Sequence, residues 1–112
     1  ELIDRIGEYP DVVAYLLEIG LVKSYLDQAF VALAERKQES VSIRFEKISQ
    51  QIYLTQDYFE ALSATNLKAR IGEQKGLIEV VFDVRHKKDF EILENLLNFG
   101  EKLVEIKNRK AE

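Results

Sequence analysis

The densest cluster of functional side chains in the sequence is Arg85-His86-Lys87-Lys88, four basic residues in a row. Such a run can do one of two things. It can lie solvated between a strand and a helix, or its cations can contact phosphates, the interaction that dominates nucleic-acid affinity. Lys68 and Arg70, two positions apart in an alternating stretch, are the cations that could join such a patch. Lys68, Arg70, Arg85, Lys87 and Lys88 are therefore the candidate nucleic-acid contacts. The charge balance favours the solvated reading. Residues 1–39 hold eight acidic and four basic side chains and residues 40–112 hold twelve of each, giving the net charge of −4. An acidic first half is a poor surface for a polyanion.

Little else in the sequence points to chemistry. His86 is the one histidine and there is no cysteine, so multi-histidine metal sites, Cys–His pairs, thiolate chemistry and disulfides are excluded. The loop Gly72-Glu73-Gln74-Lys75-Gly76 is not a phosphate-binding loop, which needs four residues between its glycines and a Lys-Ser or Lys-Thr after the second. No Gly-x-Ser-x-Gly elbow and no Asp-rich calcium loop is present. The carboxylate pairs Glu91/Glu94 and Glu101/Glu105 have helical spacing amid lysines, as a solvated helix face does. Tyr53, Tyr58 and Phe59 could stack on bases, but their spacing fits a packed core first. The expectation is a non-enzymatic protein with no catalytic residues, no metal and no cofactor.

What must position these residues is one domain. At 112 residues, 46% apolar and 32% charged, the chain suits a single folded, soluble domain with one modest core. Its apolar runs fall far short of the ~20 residues that span a bilayer, so no membrane partner is expected. No secretory pattern is visible, and a cytoplasmic location is the expectation. The chain starts at Glu1 and holds no Met. Residues are therefore expected upstream, and a removed targeting segment stays open as an alternative.

The expected fold class is α+β: mostly helical, with N-terminal helices, one antiparallel β-hairpin over about 67–84 and a long C-terminal helix. Its parts are an acidic helical segment (1–39), helix plus hairpin (40–84) and the C-terminal helix (87–110). Residues 1–9 are weakly helical, with Leu2, Ile3 and Ile6 on one side, and Pro10-Asp11 punctuates. DVVAYLLEI then shows a wide helical face that Gly20 would end. Ser24 and Asp27 suggest a cap for a further helix carrying Leu26, Phe30, Leu33 and Ala34, which fades through residues 35–40. Residues 41–54 fit two periods. Val41, Ile43 and Phe45 alternate as a strand would, yet they also continue a helical stripe. Helix over 43–63 is the expectation, with a break at Thr55 and Asp57, and strand remains the alternative.

The hairpin is the clearer signal. Leu67, Ala69 and Ile71, then Ile78, Val80, Phe82 and Val84, alternate around a five-residue loop with Gly at both ends. The second run supplies the core face. From Asp89 to about Arg109 the apolar residues cover more than the ~100° that a helix on one core requires. That surplus predicts self-association, with Leu93, Leu96, Leu97, Phe99, Leu103 and Ile106 as the oligomer interface. Gly100 in their midst marks a break or a close backbone approach.

Two functional readings follow. The first is a protein-interaction or oligomerisation module, a homodimer through the C-terminal helix or a binder of another protein. The second comes from the order of elements in residues 40–84 and from the segment YFEALSATNLKARIGEQKGLIEV. This segment is similar to the ending of winged-helix DNA-binding domains, where a recognition helix runs into a Gly-Leu-Ile turn and the wing. The resemblance implies a DNA-binding regulator with a dimerising C-terminal helix. Gly72 stands where that family keeps a large apolar residue, and residues 57–71 are charge-neutral, so the first reading leads.

Overall fold

The computed structural model describes residues 20–111. The expectations for residues 1–19 (the weak helix over 1–9, the Pro10-Asp11 break and the helix in DVVAYLLEI) lie outside the described residues. The described chain runs α1 (20–28), β1 (Val31–Arg36), β2 (Ser40–Phe45), α2 (Ser49–Ile52), α3 (Thr55–Leu62), β3 (Lys68–Gln74), β4 (Leu77–Asp83) and α4 (Asp89–Ala111). The strands form one antiparallel sheet in the order β1-β2-β4-β3. The fold is thus α+β, as the sequence predicts, but with two hairpins rather than one.

The extra hairpin corrects the reading of residues 24–54. Gly20 lies within α1 instead of ending a helix, and Ser24 sits mid-helix, its Oγ accepting a hydrogen bond from Gln28 Nε2 at 3.2 Å. The helix stops before Phe30, which adopts a left-handed φ of 64°. Phe30, Leu33 and Ala34 therefore leave the helical phase, and residues 31–36 pair with β2. Val41, Ile43 and Phe45 are all buried, while Ser42 and Arg44 between them are half-buried on the other side. The alternation was the true period. Both periods fit the same apolar residues, and strand won because partners on both sides, β1 and β4, satisfy its backbone.

The helix expected over 43–63 is two short ones, α2 and α3. The expected break at Thr55 and Asp57 is present: α3 starts at Thr55, and the Asp57 carboxylate accepts the Leu54 N–H at 2.7 Å. The β3–β4 hairpin is present and longer than expected. Glu73 and Gln74 belong to the strand, and the turn is Lys75-Gly76 alone, with φ of 55° and 79°. Positive φ at both central residues is the type I′ geometry whose twist matches the strands, which Gly76 adopts without strain. This strand also removes the winged-helix order. Residues 68–74 cannot end a recognition helix, and α3 has only eight residues.

The core lies between one face of the sheet and the helices. Phe45, Tyr58, Phe82 and Phe99 form its centre. The Phe45 and Tyr58 rings are 5.0 Å apart and the Phe82 and Phe99 rings 5.2 Å apart, both edge-on, the arrangement that aromatic quadrupoles favour. The Tyr53 hydroxyl donates to the Leu103 carbonyl at 2.8 Å, and the Ser49 and Tyr58 hydroxyls lie 3.0 Å apart, so the buried polar groups here are satisfied. Burial pushes both tyrosines upward in pKa. The wide apolar surface of α4 has an internal explanation. One side meets the sheet, and the rest meets α1 and the α2–α3 segment. Gly100 is where α1 crosses, since a Cβ there would lie 3.0 Å from the Tyr25 Cβ. Its role is the close backbone approach.

Candidate interaction surface

Because Val41, Ile43, Phe45, Val80 and Phe82 point into the core, the residues between them point out on the far face. The register sets Ser42 opposite Val81, Arg44 opposite Glu79 and Ser40 opposite Asp83 across β2 and β4. On the other side of β4, Arg70 lies opposite Val81, Gly72 opposite Glu79 and Lys68 opposite Asp83. No helix covers this face among the described residues. Arg44 lies along it, its Nη2 donating to Gln74 Oε1 at 3.1 Å and to Glu79 Oε2 at 3.3 Å. Its Nε is buried without a partner.

One end of this face is basic. Two adjoining hollows of about 410 and 400 Å³ share Lys68, Asp83 and Arg85 as walls. Arg70, Glu39 and Ser40 also line the first, beside the apolar Ala69, Val81 and Phe82, and Asn66, His86 and Lys87 complete the second. Arg85 is not free here. Its Nη2 meets Asp83 Oδ2 at 2.8 Å, and its Nε and backbone N–H donate to Asp83 Oδ1 at 3.1 and 3.0 Å. These hydrogen bonds from Arg85 pull the Asp83 carboxyl down to about 2. His86 turns the chain with φ of 64° and is exposed. Lys87 and Lys88 follow into α4, where the Lys88 carbonyl accepts the Ile92 N–H at 3.1 Å.

Of the five candidate nucleic-acid contacts, the structure brings Lys68, Arg70 and Arg85 to one hollow and Lys68, Arg85 and Lys87 to the other. Lys88 lines neither. The six residues assigned to an oligomer interface sit elsewhere. Leu93, Leu96, Phe99, Leu103 and Ile106 are buried in the chain's own core, and Leu97 is half-buried against it. A partner could reach the buried five only by displacing the sheet or the other helices. Sequence reasoning missed the Arg44–Glu79–Gln74 group, although strand alternation in Ser42-Ile43-Arg44-Phe45 carried the signal. It also missed the pairing of Asp57 with Lys110, 2.5 Å apart, which fastens α3 to the last turn of α4. Among the described residues no group of three or more His, Asp or Glu side chains could hold a metal ion. No helix there is long and apolar enough to cross a membrane.

An antiparallel sheet backed on one face by helices, with a polar open face, defines an α+β domain. The chain superposes on the crystal structure of the C-terminal domain of transcription-repair coupling factor with a TM-score of 0.88. The two share 69% sequence identity over 97% of this chain and 68% of that one. The chain belongs to this family of transcription-repair coupling factor C-terminal domains. No family model matches it, and neither does any curated protein.

Proposed function

We propose that this domain is a non-enzymatic docking module of a transcription-repair coupling factor, holding another protein in the assembly that links the two processes. The observation that carries the reading is the 69% identity to the C-terminal domain of such a factor, spanning nearly the whole chain. Two features support it. The side chains that could do chemistry are dispersed or paired with each other, as Arg85 is with Asp83. Meanwhile no helix covers one face of the sheet among the described residues, and the other face is packed against the core. The proposed partner is another protein rather than a second copy bound through α4, because the apolar residues of α4 are core. A cytoplasmic location belongs to the same proposal.

The test is competition. Excess free domain added to a reconstituted coupled-repair reaction should occupy the partner and reduce the preference for the transcribed strand. An unchanged strand preference at saturating free domain would reject a docking role.

A further inference from the structure

The two outer strands of the sheet differ. β1 carries a register shift between Val31 and Leu33. Its charged end is held within the chain, Arg36 by Asp89 at 2.7 Å and Lys37 by Glu35 at 3.7 Å. Irregularity and charge of this kind are how proteins stop an edge strand from pairing. β3 is regular, and its seven residues pair one for one with β4. Among the described residues, no backbone hydrogen bond from outside the hairpin reaches residues 68–74. Every second residue of an edge strand turns its N–H and C=O away from the sheet, so β3 presents an unfilled ladder.

The side chains on that ladder have a pattern. Lys68 and Arg70 are exposed on the open face, and neither lies within ion-pair distance of a carboxylate among the described residues. Ala69 and Ile71, on the other side of the strand, are half-buried at the margin of the core. Gly72 follows with open space around it.

We propose that the outer edge of β3 receives an extended acidic segment of a partner protein. It adds as a fifth strand, with Asp or Glu at alternate positions beside Lys68 and Arg70 and apolar residues beside Ala69 and Ile71. This rests on the docking reading above and gives that partner its chemistry. β4 already shows what β3 accepts on its inner side, with Asp83 opposite Lys68, Phe82 opposite Ala69 and Val80 opposite Ile71. Opposite charges across strands stabilise and like charges oppose pairing. Lys68 and Arg70 therefore favour an acidic strand and oppose a basic one. A nucleic acid could use the two cations but not the ladder, and Glu39 and Asp83 line the adjoining hollow. A second β3 laid antiparallel about Ala69 or Arg70 sets cation against cation.

The experiment uses the whole chain and a fluorescent peptide of about nine residues alternating Glu and Val, a length that matches a typical strand. Anisotropy should show salt-sensitive binding, and amide exchange should slow at alternate residues of β3 but not of β1. Reversing both charges, K68E with R70E, should raise Kd at least about tenfold, since each cross-strand charge pair changes from attraction to repulsion. N-methylating alternate peptide amides leaves the protein untouched and should cost at least as much. Failure of the alternating peptide to bind overturns the proposal, and so does protection on β1. Equal binding of a block-scrambled peptide or of a single-stranded oligonucleotide overturns it too, by showing a general polyanion surface. In the competition assay, a K68E/R70E domain that still competes sinks the edge site alone. Wild-type domain that does not compete sinks the docking reading itself.

Discussion

On the covered face of the sheet, Ile43, Phe45, Val80 and Phe82 are completely buried, and the Phe45 and Phe82 rings pack edge-on against Phe99 of α4. On the open face, Ser42, Arg44, Glu79 and Val81 come from the same two strands and are only half-buried. Burial of apolar area is the dominant favourable term in folding, so one face carries the stability and leaves the other free to change. The faces differ by a single residue step along each strand. A one-residue slip of register would exchange them, and the two-residue turn at Lys75-Gly76 helps to fix the register.

The sharpest way to break this comparison is Leu103→Lys. If Leu103 lay on a dimer interface, the variant would fold and lose only its partner. Since Leu103 is fully buried and its carbonyl receives the Tyr53 hydroxyl, the charge has no solvent and the expected outcome is loss of folding. Circular dichroism and sedimentation separate the two. Phe99→Ala removes the ring between Phe45 and Phe82 and should cost about 3–5 kcal/mol in urea denaturation.

Asp57→Asn tests the tie between α3 and α4 and should cost about 1–2 kcal/mol at neutral pH. Burial works to raise the Asp57 pKa, but hydrogen bonds from Lys110 and the Leu54 N–H outweigh it and hold the carboxyl below its ordinary value. The stabilisation is therefore full above the unfolded carboxyl value of about 3.9. It fades as pH falls through the lower folded value. Denaturation of wild type and variant should differ at pH 7 and converge in strong acid. The smallest effect is expected on the open face, where Arg70→Gln should change stability by no more than about 0.5 kcal/mol. A larger loss would mean that the open face shares in holding the fold.

How much of this was legible depended on whether the signal was local. The β3–β4 hairpin announces itself, because both strands and the turn lie within residues 68–83 and alternate without competition from a helical period. The β1–β2 hairpin does not. Val31-Ala32-Leu33-Ala34-Glu35-Arg36 is rich in good helix formers, and only its pairing with β2 makes it a strand. For α4 the sequence shows correctly how wide the apolar surface is. It cannot show what covers that surface, since α1 and the sheet arrive from distant parts of the chain. The basic residues were legible one by one. Their grouping was legible only as a candidate, because what sets Lys68 beside Asp83 and Arg85 is the register of β3 on β4.

The strand order has a consequence for how the molecule comes together in time. Each hairpin closes through a short local turn, but the seam between β2 and β4 joins Ser40 to Asp83. That closure encloses α2, α3 and all of β3. By chain statistics it costs about 2–3 kcal/mol more entropy than a two-residue turn. Both hairpins can therefore form early and still leave the sheet in halves. Each half then offers an unpaired strand, β2 or β4, whose apolar face is still uncovered. In that interval the chain is most exposed to pairing with the wrong partner. Closing the seam is the step that turns two sticky hairpins into one sheet with a single chosen edge.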